Sequence, residues 1–143
     1  MLDFGADPTG QLDSTAALRT ALAAASAEGA GTVFLPAGWY RIDSHLHVPG
    51  NVELRGCLSC TRELEGLSAG TVLMAYEGNG TLRPASASAL IALEGDNCGV
   101  RGLRVFYPEN NPDFGIRPFP YTIRGSHKDM YVVDVGLSGL PAD

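Results

Sequence analysis

Residues 3–10 read DFGADPTG and residues 31–40 read GTVFLPAGWY, and these two stretches enclose an alanine-rich segment. Within that segment, Asp13 and Ser14 are both suited to cap the first turn of a helix, because their side-chain oxygens accept orphan N–H groups. Gly29 suits the left-handed conformation that ends a helix. The apolar positions between them follow the spacing i, i+3, i+4 and i+7 of one helix face, at Leu18, Ala21, Leu22 and Ala25. We therefore expect one short helix with a narrow apolar stripe.

After residue 31 the pattern changes to short β-prone runs separated by Gly, Pro and Asn. The runs cover residues 33–35, 39–42, 46–48, 52–54, 71–76, 89–93, 100–106, 121–124 and 131–137. Strands this short and this closely spaced, with no helices between them, argue against a doubly wound α/β fold. They predict an all-β chain after the first helix.

Two of these runs repeat one spacing. Val100, Leu103 and Val105 match Val132, Val135 and Leu137, and both sets have an apolar residue, a two-residue gap and then apolar positions two apart. The spacing predicts an inward side chain, a bend and then an inward-facing strand. Because the copies lie further apart than the roughly 20–30 residues of one repeat, we expect an insertion to bulge out between them.

Three stretches together resemble the opening of pectate-lyase superfamily proteins, a group that includes polygalacturonase-like, rhamnogalacturonase-like and phage-tailspike-like members. The superfamily pattern DFGA-x-GDG-x-x-D-(S/T)-x-A, helix, GG-x-V-x-(F/L)-P-x-G-x-Y and L-x-(L/V)-x-x-x-V-x-L-x-G is similar to residues 3–17, 29–40 and 46–56. Here DPTG replaces the usual GDG, and Ala30 replaces the second glycine. The resemblance implies a right-handed parallel β-helix with an N-terminal capping α-helix. It predicts a single domain over residues 1–143, with the capping motif at 3–56, further coils at 57–143 and a loop insertion at about 106–121.

The same resemblance implies a protein that acts on polysaccharides. We expect part of a carbohydrate-active enzyme, a glycoside hydrolase or a polysaccharide lyase, located outside the cell or in its envelope. In this superfamily the catalytic groups normally lie on later coils, so no catalytic residue is assigned here. A lyase would bring Ca²⁺; otherwise no cofactor is expected. Two alternatives remain open: a non-catalytic glycan-binding or tailspike-like module, and a relative of the sugar epimerases.

The best candidate for substrate binding is the aromatic and proline-rich segment 106–121. Aromatic faces bind the C–H patches of sugars, while carboxylates and Arg bind hydroxyl or uronate groups. The residues that we expect to contact sugar are Tyr107, Glu109, Asp113, Phe114, Arg117 and Tyr121. The alternative is that Tyr107, Phe119 and Tyr121 only anchor a long loop. Glu109 and Asp113 also have the composition of a glycosidase acid/base pair, although two loop carboxylates are commonplace.

Charge and composition exclude several partners. The net charge of −6 disfavours nucleic acid, and no stretch approaches the roughly 18 consecutive apolar residues of a membrane span. Residues 81–128 hold six basic against four acidic residues, which would suit an anionic glycan, although a solvated mixed surface is the simpler interpretation. An open stack of coils would expose an apolar end, so we also consider self-association into a homo-oligomer.

Cysteine and histidine give little sign of a metal centre. Cys57 and Cys60 have the spacing of half a zinc site, but no second pair completes it, and a turn or a local disulfide is the simpler interpretation. His45 and His47 flank Leu46 and should point the same way from a strand. We interpret them as surface histidines and predict no metal site.

Overall fold

The computed structural model describes residues 4–57, 70–78, 80, 88–110 and 118–138. Within these ranges the chain is mostly β, with a single helix. The elements in chain order are β1 (Thr9–Asp13), α1 (Thr15–Ala27), β2 (Gly31–Phe34), β3 (Gly38–Ile42), β4 (Leu46–Pro49), β5 (Val52–Arg55), β6 (Thr71–Ala75), β7 (Ile91–Glu94), β8 (Gly99–Phe106), β9 (Ile123–Gly125) and β10 (Tyr131–Ser138).

Every strand pair among the described residues is parallel. One sheet has the order β1-β3-β6-β8-β5-β2 with β10 against β8, and the second has the order β4-β7-β9. The pairs form three parallel ladders, which begin with β1-β3-β6, β2-β5 and β4-β7-β9, and β8 pairs with both β6 and β5. Strands that follow one another in the chain always lie in different ladders. The expectation of a mostly β chain with parallel pairing and one short helix is confirmed.

Strand β8 belongs to two ladders because it bends in the middle. Its first residues pair with β5, and Arg104–Phe106 pair with β6. Gly102, at the bend, has a φ of 68°. Strand β10 follows β8 in continuous register, with Val132 opposite Val100 and Leu137 opposite Val105. The repeat seen in the sequence is thus a pair of stacked, equally bent strands, as predicted.

The core consists of inward-facing side chains stacked from strand to strand. Tyr40, Leu73 and Val105 are in register across β3, β6 and β8, and all three are fully buried. Leu46 and Ile91 form a similar buried pair in the other sheet. Removing such side chains from water contributes about 1.5–3 kcal/mol each. At the other end of the stack, Val132 and Leu137 are 49% and 62% exposed.

Helix α1 begins as the sequence predicts, with the two cap candidates in different roles. Ser14 is the N-cap residue, but its hydroxyl accepts the N–H of Asp7 rather than one from the helix. The carboxylate of Asp13 instead accepts the N–H of Thr15 at 2.9 Å. Leu18 and Leu22 of the predicted stripe are fully buried, and α1 contacts β2, β4 and β5. Gly29, beyond the last turn, has a φ of 89°, as expected.

Strand β1 was not expected from the sequence, because TGQLD is polar and mostly exposed. It is held by pairing with β3 and by the carboxylate of Asp7, which accepts the N–H groups of Thr9, Gln11 and Leu12. No helix in the described part of the chain is long and apolar enough to cross a membrane.

Candidate functional site

Two of the long connections of the chain enter the β4-β7-β9 ladder at one edge, whereas a third, residues 56–70, leads from β5 into β6. Residues 76–90 lead from β6 into β7, and residues 107–122 lead from β8 into β9. At the opposite edge only residues 50–51 separate β4 from β5, and 95–98 separate β7 from β8. Long connections carry binding and catalytic groups more often than tight turns do. The outer side of this ladder is therefore the candidate surface for a functional site.

Four outward-facing residues define this surface, which we call the His47–Arg124 face: His47, Ala92, Glu94 and Arg124. His47, Ala92 and Arg124 are in register across β4, β7 and β9, and their neighbours Leu46 and Ile91 point into the core. At about 4.8 Å per strand, His47 and Arg124 lie roughly 10 Å apart along the stack. The small side chain of Ala92 leaves a depression in the middle of the face. The result is a shallow shelf with a polar residue at either end.

Histidine–glutamate pairs line the first strand of this face. Nδ1 of His47 lies 2.7 Å from Oε1 of Glu94, and Nδ1 of His45 lies 3.3 Å from Oε1 of Glu77. The two imidazole rings are 5.8 Å apart and perpendicular, so both leave the strand on the same side, as predicted. Each pair thus offers an imidazole and a carboxylate side by side as hydrogen-bonding groups at the surface.

The tight edge of the ladder adds further polar groups. Oδ1 of Asp96 accepts the backbone N–H of Lys128 at 3.0 Å and lies 3.8 Å from Nδ1 of His127. Lys128 is exposed beside this pair. The His47–Arg124 face is thus bordered by basic as well as acidic groups, and Arg and Lys are the side chains that bind carboxylates.

The structure divides the residues that the sequence suggested for sugar binding. The hydroxyl of Tyr107 is hydrogen-bonded to that of Thr122, and its ring packs against Phe119 with the centroids 4.7 Å apart. Burial raises the pKa of Tyr107, although the bond to Thr122 lowers it. Tyr107 therefore makes the contacts of a loop anchor, which is the alternative that the sequence left open.

The structure describes two of the five other candidates, Glu109 and Tyr121. Glu109 is exposed, and Tyr121 is 49% exposed and borders a cavity of about 410 Å³ with Val132 and Leu137. Asp113, Phe114 and Arg117 lie outside the described residues. Sugar binding by these residues stays a prediction.

The described residues contain no group of three or more His, Cys, Asp or Glu side chains that could hold a metal ion. Cys57 and Cys98 are free thiols, whereas Cys60 lies outside the described residues. Burial raises the pKa of the Cys98 thiol, and its Sγ donates to the carbonyl of Gly95. The Cys98 thiol is therefore not activated as a nucleophile.

Reasoning from the sequence missed the His47–Arg124 face. Its residues belong to strands of three or four residues, and the partners His47 and Glu94 are far apart in the chain. Alternation alone could have marked His47, Ala92 and Arg124 as outward-facing, but their alignment depends on the register between strands.

The parallel ladders and the opening motif place the chain in a known family. The profile of the family described as rhamnogalacturonase A/epimerase, pectate lyase-like, matches residues 1–79, which is more than half of the chain. The chain therefore belongs to this family of the pectate-lyase-like, right-handed β-helix superfamily.

The individual proteins to which this chain is similar include mannuronan C5-epimerases. Mannuronan C5-epimerase AlgE2 of Azotobacter vinelandii is 40% identical over an alignment 177 positions long, which covers 99% of this chain and 17% of AlgE2. Mannuronan C5-epimerase AlgE4 of the same organism is 36% identical over 99% of this chain and 31% of its own length. The chain thus spans less than a third of either relative.

A solved structure agrees with the fold. The A-module of AlgE4 superposes with a TM-score of 0.66, covering 95% of this chain and 37% of that module at 22% identity. At this identity the likeness establishes the fold alone.

Proposed function

We propose that this chain is part of a C5-epimerase that acts on a polymer of uronic acids. The observation that carries the proposal is the 40% identity to a mannuronan C5-epimerase along 99% of the chain. The sequence predicted a carbohydrate-active enzyme and left a relative of the sugar epimerases open as one alternative. The identity to this relative favours that alternative. We place its action outside the cell or in the envelope, where long polysaccharides occur.

C5 epimerisation makes simple demands on a protein. A base removes the proton at C5, next to the carboxylate, and an acid returns a proton to the opposite face of the ring. Cationic groups stabilise the charge that develops on the carboxylate in between. A lyase shares the first step and then expels the group at C4, whereas a hydrolase needs two carboxylates flanking the glycosidic bond.

In this proposal the His47–Arg124 face binds the polymer. Arg124 is exposed on the strand next to the 107–122 connection, and its guanidinium has the planar donor geometry that carboxylates accept. Ala92 gives a sugar ring room to lie flat between Arg124 and His47. The loop residues Glu109 and Tyr121 would border the same polymer, while Tyr107 holds the loop in place.

We also propose that the parallel ladders are the sides of one stack of coils and that α1 caps it. The buried Leu18 and Leu22 and the contacts of α1 with β2, β4 and β5 support this arrangement. A capped stack protects strand edges that would otherwise invite aggregation. The polymer would then run along the stack, across the strands.

The test is incubation of the chain with mannuronan in D₂O, followed by NMR of the polymer. Epimerisation replaces the C5 proton with solvent deuterium and creates guluronate without new chain ends. A lyase would give unsaturated uronate, and a hydrolase would give reducing ends alone. Binding without any conversion would support the non-catalytic module, and cleavage in place of epimerisation would contradict the proposal.

A further inference from the structure

A cavity lies where helix α1 meets the first strand of the His47–Arg124 face. It has a volume of about 600 Å³ and opens to solvent. Leu22, Ala23 and Pro49 give it an apolar floor, and Arg19, His47 and Glu94 give it polar walls. We call it the α1 cavity. Since His47 and Glu94 belong to both surfaces, the cavity continues the shelf of the face beyond its first strand.

Arg19 is the fixed positive charge of this cavity. Its Nε and Nη2 donate to the carbonyl of His45 at 2.9 and 2.6 Å, and Nη2 also donates to Oγ of Ser44 at 2.9 Å. These bonds hold the guanidinium in one orientation from the side of β4. They leave Nη1 uncommitted within the described part of the chain. A side chain already ordered in this way loses little conformational entropy when it binds a ligand.

We infer that the α1 cavity is a distal subsite for one uronate residue of the polymer, and this inference rests on the proposed function. Arg19 binds the sugar carboxylate through its uncommitted N–H groups. The apolar floor packs against the C–H face of the ring. The paired His47 and Glu94 exchange hydrogen bonds with its hydroxyl groups.

The composition of the cavity favours a sugar acid over other occupants. An apolar ligand would cover Arg19 and the His47–Glu94 pair without hydrogen-bonding them, which costs free energy. A compact anion such as phosphate would reach Arg19 but leave the apolar floor empty. A uronate residue packs its ring on the apolar floor, bonds the His47–Glu94 pair through its hydroxyl groups and bonds Arg19 through its carboxylate. It also reaches the cavity as part of a chain already bound on the neighbouring strands.

The test measures the affinity of the chain for oligomannuronates of increasing length by isothermal titration calorimetry. In the unmodified chain, affinity should rise when the oligomer becomes long enough to reach from Arg124 into the α1 cavity. Ala23→Trp fills the cavity and should abolish that last rise while leaving the affinity for short oligomers unchanged. Arg19→Gln removes a charge-assisted hydrogen bond and should weaken binding of the long oligomers about tenfold or more.

Ala16→Trp is the matched control, because Ala16 is exposed on the same helix outside the cavity. Circular dichroism of each variant would show that α1 is retained. If the chain binds long oligomers and both cavity variants bind them equally well, the subsite is refuted and the proposed function stands. If the chain binds no oligomer of any length, both proposals are contradicted.

Discussion

The amide of Asn97, in the turn between β7 and β8, donates a hydrogen bond at 3.2 Å to Oδ1 of Asn51, in the turn between β4 and β5. Both residues have left-handed backbones, with φ of 55° and 60°. The backbone N–H of Asn51 also bonds the carbonyl of Asp96, so the two turns are joined by main chain and side chain. Asn is one of the few residues with a side chain that tolerates this conformation. These turns form the corner that leads out of the β4-β7-β9 ladder.

Replacing Asn97 separates the contribution of its side-chain hydrogen bond to stability from that of its left-handed backbone conformation. Asn97→Gly removes the side-chain bond but keeps a residue suited to positive φ. Asn97→Ala removes the bond and also strains the backbone, so it should lower the free energy of unfolding by about 1–3 kcal/mol. Urea denaturation measures both variants. A variant with Ala that is as stable as the variant with Gly would show that the corner conformation is not a constraint.

Asp7 should make the opening of the chain sensitive to acid. Hydrogen bonds from the Thr9 hydroxyl and from the N–H groups of Leu12, Thr9 and Gln11 lower the pKa of Asp7 to about 2. The stabilisation from this carboxylate is therefore fully present above its ordinary pKa of 3.8 and is lost as the pH falls toward 2. Thermal melting across this range should show a smaller acid-induced drop for Asp7→Asn than for the unmodified chain. Parallel pH profiles for the two proteins would contradict this role.

Tyr131 should lose its hydroxyl proton at a higher pH than an ordinary tyrosine does. Burial and the hydrogen bond that its hydroxyl donates to Glu53 together raise the pKa of Tyr131 to about 12. Stability from this neutral hydroxyl is complete below pH 10 and is lost as the pH rises through 12. Glu53→Gln should lower the pKa of Tyr131, as measured by ultraviolet difference titration against Tyr131→Phe. An unchanged pKa in Glu53→Gln would leave burial as the only cause.

The inward rows predict unequal costs for two equivalent leucines. Leu73 is fully buried between Tyr40 and Val105, so Leu73→Ala should destabilise the chain by about 2–5 kcal/mol. Leu137 continues the same row but is 62% exposed, so Leu137→Ala should cost far less. Chemical denaturation of the pair measures the difference. Similar losses would mean that the exposed end is covered in solution, as expected of a homo-oligomer.

Tyr107 is predicted to act through the loop rather than through sugar. Tyr107→Phe removes its bond to Thr122 and should cost about 1 kcal/mol of stability. Thr122→Val should cost a similar amount, and the double variant should lose little more than either single one. Oligomannuronate affinity should stay unchanged in Tyr107→Phe but fall in Tyr121→Ala. Loss of affinity in Tyr107→Phe without loss of stability would restore Tyr107 as a binding residue.

Much of the fold could be predicted because its signals are local. The helix face at Leu18 and Leu22, the stop at Gly29 and the repeated spacing of residues 100–105 and 132–137 each depend on neighbours in the chain. Parallel pairing followed from the resemblance, and the described strands agree with it. Strand β1 was missed because its pairing with β3, rather than its own composition, makes it a strand.

The site was harder to predict because it depends on contacts between distant parts of the chain. His47 meets Glu94 only through the register of β4 and β7, and Arg19 reaches the carbonyl of His45 only because α1 packs on that strand. The composition of the aromatic segment 106–121 predicted a sugar-binding loop. Composition alone could not distinguish Tyr107, whose hydroxyl is already bonded, from the half-exposed Tyr121.

The most direct test of the account compares oligomannuronate binding to Arg124→Ala and to Arg55→Ala by isothermal titration calorimetry. Both arginines are exposed at the outer surface of a strand, but only Arg124 lies on the His47–Arg124 face. We predict that Arg124→Ala weakens binding about tenfold or more and that Arg55→Ala leaves it unchanged. Equal affinities of the two variants would contradict the claim that this face binds the polymer.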